Sequence, residues 1–357
     1  MTAVATNVVE ALRFQRGAAA TSPLLGAVLD ATLADIEVDG PCAAVLSQVD
    51  RALEPVADAV TLRFLGAVHR VVLEGRAPAL AAHYPSAGGT FDVDAPGDLA
   101  AAFVATVEDN RAELIDGLRR SVQTNEVGRS AALLPGFLAV AAASGLPLRV
   151  LEIGASAGLN LRWDRYRYEG GAGGSTWGDA GSRVRFAGVY DDPAPDLAVP
   201  ATVVERKGCD ANPIDAATPE GRLALRAFVW PDQLERQAAL AAALDVAAAV
   251  PVALEQEDAG EWAERELARP VPGTATVLVH SIVWQYLPVP TRRRILGALD
   301  AAGKKASPDA PLAWLRMEPG EDFAKSAEVR LTTWPGEERL IARAGYHGRP
   351  VRLSATS

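Results

Sequence analysis

The sequence predicts an α/β fold preceded by an all-α N-terminal domain. Up to about residue 145, apolar residues recur at helical spacing. From Leu148 onward, short apolar runs alternate with helical stretches, the pattern of a mostly parallel sheet with helices on both faces. At the end, Glu328–Thr333 and Arg339–Ala344 flank Trp334-Pro335-Gly336-Glu337, which reads as an antiparallel hairpin, and Arg349–Leu353 reads as a further short strand.

In the first part, Ser22-Pro23 is an N-cap followed by proline at the first helical position, and Leu25, Val28, Leu29, Thr32, Leu33 and Ile36 follow on one face. Val60, Phe64, Ala67 and Val68 mark a second helix, and His83–Pro96, with its prolines and glycines, a loop. Leu99, Phe103 and Val107 form one face, Leu114, Ile115 and Leu118 another. Arg129–Ser144 is the last helix, ended by Gly145 and Pro147. In the second part the expected strands are Leu148–Ile153, Thr202–Val204, Val252–Leu254, Thr276–Val279 and Leu312–Met317, with helices at Pro219–Phe228, Gln233–Ala248 and Thr291–Lys304. Domains are therefore expected at 1–145 and 146–357, with an insertion at about 162–200. There Tyr166 and Tyr168 alternate with Arg165 and Arg167 as on a strand with one wet face, a Gly-rich loop follows at Gly170–Gly174, and Arg183–Tyr190 is strand-like.

Composition narrows the function classes. The chain has 357 residues, ample for a buried core without disulfides or metals. Lys and Arg number 35 against 45 Asp and Glu, a net charge of −10 that disfavours nucleic acid as partner. The two cysteines, Cys42 and Cys209, form no CxxC and fit a reducing cytoplasm. The four histidines show no HExxH or HxxxH spacing, so no metal is expected. The N-terminus lacks the pattern of a secretory signal, and Ala238–Leu254 carries Asp245 and Pro251, so no membrane span is expected either.

The chemistry-bearing phrase is Leu151-Glu152-Ile153-Gly154-Ala155-Ser156-Ala157-Gly158-Leu159-Asn160: a buried strand ending in an acid, a loop of small residues, then a helical start. Small residues let a ligand approach the backbone, and free N–H groups at a helix start can anchor it. The bland alternative is a tight βα turn without a ligand. A dinucleotide fingerprint fails, because Ser156 and Leu159 stand where its second and third glycines belong.

The spacing acid-x-Gly-x-Ser-x-Gly instead resembles motif I of class I S-adenosylmethionine-dependent methyltransferases, with Ser156 in place of the middle glycine. Gly208-Cys209-Asp210-Ala211-Asn212-Pro213 resembles motif II, whose acid accepts hydrogen bonds from both ribose hydroxyls. Asp210 matches that acid, and Glu205 is the runner-up. Glu257-Asp258-Ala259 resembles the Asp-Ala that contacts adenine, and Val277–Trp284, including His280, resembles the fourth strand that lines the methyl-transfer site. Three phrases together, Gln123–Arg129, Glu152–Leu161 and Gly208–Asp210 with Asn212-Pro213, resemble the bacterial domain-of-unknown-function family 2332.

The methyltransferase resemblance implies a Rossmann-like, mostly parallel seven-stranded sheet with a C-terminal antiparallel hairpin. It implies S-adenosylmethionine as cofactor, held by Glu152, Gly154, Ser156, Gly158, Asn160, Asp210, Asn212, Asp258 and His280. The acceptor is expected to be a small molecule selected with help from the helical domain. Candidates to bind it are Gln123, Asn125, Glu126 and Arg129, beside the start of the last helix, and Trp284 and Tyr286, after the fourth strand. Thr124 or Asn125 as an N-cap is the plainer reading of that segment. Two other functions stay open: a non-catalytic binder of an adenosyl ligand, and a nicotinamide-dependent oxidoreductase.

Overall fold

Ser22 caps its helix as expected, its Oγ accepting from the Leu25 amide at 3.2 Å, with Pro23 in the first turn. The computed structural model describes residues 4–56, 58–120, 122–320 and 326–354. The helices of the first part are α1 (Thr6–Ala18), α2 (Pro23–Glu37), α3 (Pro41–Leu46), α4 (Val60–Leu73), α5 (Pro78–Ala81), α6 (Pro96–Asp109) and α7 (Arg111–Arg119). Then come α8 (Arg129–Ser144), β1 (Leu148–Ile153), β2 (Arg167–Glu169), β3 (Thr176–Gly178), β4 (Arg185–Phe186), β5 (Val203–Asp210), α9 (Pro219–Ala227), α10 (Leu234–Ala249), β6 (Ala253–Gln256) and α11 (Ala259–Leu267). The chain ends with β7 (Ala275–Ser281), α12 (Val289–Gly303), β8 (Leu312–Pro319), β9 (Ala327–Trp334), β10 (Glu338–Ala344) and β11 (Val351–Leu353).

The chain divides into two compact units, Met1–Thr124 with Thr218–Ala238, and Asn125–Ala217 with Ala239–Ser357. Helix α8 therefore belongs with the sheet, and α9 with the helices. The helical unit buries Leu29, Phe64, Val68, Phe103 and Leu114 in one core. Gly66 on α4 admits α9, since a Cβ there would meet Phe228 at 2.6 Å. The Asp232 carboxylate accepts from Ser22 Oγ at 2.7 Å and from the Leu24 amide at 3.3 Å, tying the segment after α9 to the start of α2.

The second unit is built on an eight-stranded sheet of order β11-β10-β9-β8-β7-β1-β5-β6. Strands β6, β5, β1, β7 and β8 are parallel, and β9, β10 and β11 add an antiparallel meander. The fold is thus mixed α/β with a mostly parallel central sheet, but it has one strand more than the expected seven. The strand beyond the seven that the resemblance implies is β11, read from the sequence as the short strand Arg349–Leu353; its three residues sit at the edge beside a bridge to Tyr190.

Three local expectations are corrected. Strand β5 runs to Asp210 rather than ending at Val204. Its middle, Glu205-Arg206-Lys207, is charged and shows no apolar run; folding pairs Glu205 with Arg149 on β1 at 3.0 Å and Arg206 with Asp164 at 2.7 Å. Helix α11 has no counterpart in the sequence reading. The strand-like Arg183–Tyr190 shortens to Arg185–Phe186, in a separate small sheet of order β3-β2-β4. Within that insertion the alternation holds: Tyr166 and Tyr168 are fully buried, while Arg165 is exposed and Arg167 half-buried.

Candidate functional site

Strand β1 pairs with β5 on one side and β7 on the other, so the chain reverses its direction of winding between β1 and β7. In open α/β sheets ligands bind outside the carboxyl ends of the strands at such a reversal. The turn Gly154–Gly158 leaves β1 at this place. Gly154 (φ 66°), Ser156 (φ 52°) and Gly158 (φ 66°) are all left-handed, and only the two glycines adopt that region without strain. Packing also demands the glycines: a Cβ on Gly154 would lie 2.5 Å from Val283, and one on Gly208 of β5 would lie 2.6 Å from Ala155.

The turn is braced from several sides. The Asp210 carboxylate accepts from the Ser156 amide at 2.9 Å and from the Asn212 amide at 2.8 Å. Asn125 accepts from the Leu159 amide at 2.8 Å, and Tyr166 donates to the Leu159 carbonyl at 2.6 Å. The buried Arg162 guanidinium donates to the carbonyls of Ala157, Gly158, Ala247 and Val250. Asn160 is buried, accepting from Ser130 Oγ at 2.7 Å and donating to the Glu126 carbonyl at 3.3 Å.

Glu152 is the exception in this satisfied frame. It is 2 % exposed, and its Oε2 has no hydrogen-bond partner. Burial pushes its carboxyl up to about 8; the Arg129 guanidinium opposes that shift and the Asp210 carboxylate adds to it. At neutral pH this group is therefore mainly a neutral acid, able to donate as well as accept. Strand alternation sets its direction. Glu152 is in register with Val279, and Val279 with Leu315, whose side chain meets Gly136 of α8, so Glu152 faces the α8 side of the sheet.

His280 lies one residue beyond Val279 and faces the opposite side, towards α11 and α12. It is fully buried, with Nδ1 2.6 Å from Glu318 Oε1 on β8. The same oxygen accepts from the amides of Val283 at 3.2 Å and Trp284 at 3.4 Å. The imidazole stacks on Trp284 with 5.3 Å between centroids, and Trp314 lies 5.8 Å away.

The other candidate residues separate. Asp258 caps α11: its Oδ1 accepts from the Gly260 and Glu261 amides and its Oδ2 from Thr291 Oγ1 at 2.7 Å. Burial pushes that carboxyl up, but these hydrogen bonds outweigh it and hold the group below the usual carboxylate range. Gln123 falls within the helical unit, whereas Asn125, Glu126 and Arg129 fall within the sheet unit. The N-cap of α8 is Gly128, so neither Thr124 nor Asn125 caps it. Glu126 accepts from the Gly128 amide at 3.2 Å and sits 3.2 Å from His347; Arg129 donates to the carbonyls of Tyr346 and Ser281, both at 3.2 Å. Trp284 is half-buried and Tyr286 is 58 % exposed. The sequence reading missed Glu318 and Arg162. Glu318 had no motif around it, and Arg162 shows its role only through four carbonyls that fold against it.

A groove of about 1190 Å³ on the same unit is lined by Pro135, Leu138, Leu340, Ile341, Arg343 and Arg352, among others. No turn residue lines it, and Arg343 and Arg352 are already paired with Glu328 and Asp191. Its size alone does not make it the chemical site.

The model of DUF2332, an uncharacterized protein conserved in bacteria, matches residues 10–352. The chain belongs to this family. The match takes in both compact units, so the helices and the sheet are parts of one family architecture. No curated protein and no solved structure matches the chain.

Proposed function

We propose that the sheet unit binds an S-adenosyl ligand over the Gly154–Gly158 turn and transfers its methyl group to a small acceptor. One observation carries the reading. The acid-x-Gly-x-Ser-x-Gly turn, with three left-handed residues, sits at the winding reversal between β1 and β7, above a buried Glu152 oxygen that no protein group satisfies. An orphaned buried polar atom costs about 1–3 kcal/mol, and a bound polar ligand would recover that.

The residues fit such a ligand in the following way. Asp210 is half-buried and accepts two amide hydrogen bonds, so lone pairs remain for ribose hydroxyls. Asn212 is exposed beside it, and Glu152, as a neutral acid, can donate to an anionic or carbonyl oxygen. Asp258 is left out, since its carboxylate is spent on the α11 cap and Thr291. When bound, the cofactor supplies an electrophilic methyl group; the protein's part is positioning and exclusion of water.

Calorimetry with S-adenosylmethionine, S-adenosylhomocysteine and NAD is the direct test. Binding of the two adenosyl ligands, with no NAD binding, is the expected result. Asp210→Asn keeps the size of the side chain and should weaken that binding by about 1.5–3 kcal/mol. Absence of any adenosyl binding overturns the reading. Unchanged affinity in Asp210→Asn moves the ribose contact to another residue.

A further inference from the structure

We propose that His280 and Glu318 form a proton-accepting pair, His280 Nε2 taking the proton of a flat, protic acceptor of the phenol class. The proposal rests on the methyl-transfer reading above. The tautomer follows from the partners. Glu318 Oε1 accepts from two backbone amides and lies 2.6 Å from Nδ1, so Nδ1 carries the hydrogen and donates. In the neutral imidazole Nε2 then keeps its lone pair, and the atom is buried and without a partner, as is Glu318 Oε2. A histidine that serves packing alone looks different in this molecule. His69, equally buried, binds the Ala227 carbonyl at 3.0 Å and Ser86 Oγ at 2.8 Å, so both of its nitrogens are satisfied.

Placement and cover point the same way. His280 is the penultimate residue of β7, the strand across the winding reversal from β1. Its ring is covered by Trp284, in near-parallel stacking at 15°. The segment that carries Trp284 begins at Ile282, a β-branched residue at φ 50°, a conformation that costs on the order of 1–3 kcal/mol. With the Trp284 indole turned aside, a slot opens between His280 and Trp314, whose indole Nε1 is also buried without a partner. A flat ring fits where the indole now stacks, and its hydroxyl would meet a free acceptor and a free donor.

The balance of the step is simple. The acceptor oxygen bonds to the methyl carbon as the carbon–sulfur bond breaks and leaves its electron pair on sulfur. The hydroxyl proton passes to Nε2, and the Glu318 carboxylate offsets the imidazolium charge through Nδ1–H.

The test uses 4-nitrophenol as probe, on the full chain labelled with ¹⁵N-histidine and saturated with S-adenosylhomocysteine, at a pH where the free probe is neutral. Binding should produce the phenolate absorption band and move one histidine signal to the imidazolium position. Both should vanish in His280→Asn at saturating S-adenosylhomocysteine. Glu318→Gln should lower the phenolate fraction roughly tenfold. If His280→Asn fails to fold, Trp284→Ala, which uncovers the imidazole, should tighten probe binding. A probe that fails to bind or stays neutral when bound, an unmoved histidine signal, a phenolate band surviving in His280→Asn, or unchanged affinity in Trp284→Ala overturns the proposal. Failure of S-adenosylhomocysteine to bind the wild type is a separate result, and it removes the methyl-transfer reading first.

Discussion

His69 and His280 are both buried imidazoles, but each is held in its own way. His69, in the helical unit, has a partner on each nitrogen. His280, in the sheet unit, has one nitrogen fixed and the other bare. The contrast extends to other residues. Among the described residues, the buried side-chain polar atoms without a partner include Thr61 Oγ1 in the helical unit, and all the others lie in the sheet unit. Several of these, on Glu152, His280, Trp314 and Glu318, gather on neighbouring strands β1, β7 and β8. Unpaired polar atoms weaken a core, so those of Glu152, His280 and Glu318, near the carboxyl ends of β1, β7 and β8, mark a place kept for something other than stability. The helical unit shows that the same chain can satisfy such groups elsewhere.

Four substitutions test how the buried polar groups of the two units act. Arg162→Met has the largest expected effect, because it strips four carbonyls of their donor at once. It should lower stability by on the order of 5 kcal/mol in urea unfolding. A loss below about 1 kcal/mol would mean the turn does not depend on this brace.

The next two have opposite signs. Glu152 titrates from 4.5 unfolded to about 8 folded. The folded state therefore holds the extra proton, and stability falls as pH rises from about 4.5 to 8. Glu152→Gln removes that loss, so the variant should exceed the wild type at pH 8 by on the order of 4 kcal/mol and match it near pH 4. His69 is lowered by burial from 6.5 to about 4. Here the unfolded state gains the proton first, so stability is present above pH 6.5 and falls as pH drops from there towards 4. The wild type should lose on the order of 3 kcal/mol over that window relative to His69→Gln. Parallel pH profiles for wild type and variant would dismiss either account. Smallest is Asp258→Ala, which should cost about 1–2 kcal/mol as a lost helix cap and leave S-adenosylhomocysteine affinity unchanged. Weakened affinity at equal stability would restore Asp258 to the binding site.

Much of this was legible in the residues. The apolar periods located α2, α4, α6, α7 and α8, and the change of texture at Leu148 marked β1. The sequence cuts β5 short because its charged middle is neutralised by Arg149 and Asp164, partners that only folding brings into place. Helix α11 hid because its sequence, AGEWAEREL, is mostly charged on one side and short. At the site, the Gly154 turn could be read from spacing, since conformation there is set locally. The role of Asp258 could not, because Thr291 comes from a distant helix start. His280 was found through its strand, but its partner Glu318 lies 38 residues away, with no motif linking the two.

The insertion of Thr218–Ala238 into the helical unit bears on how the chain is made. A ribosome that has released residue 124 has delivered helices α1 to α7 but not the segment that fills the space beside Gly66 with Phe228, satisfies His69 through Ala227 and holds Ser22 through Asp232. Those contacts must wait while all of β1 and β5 emerge. The first half to be synthesised is therefore not the first half able to close, and a gene cut at the apparent domain border should yield a helical fragment with an open seam rather than an independent domain.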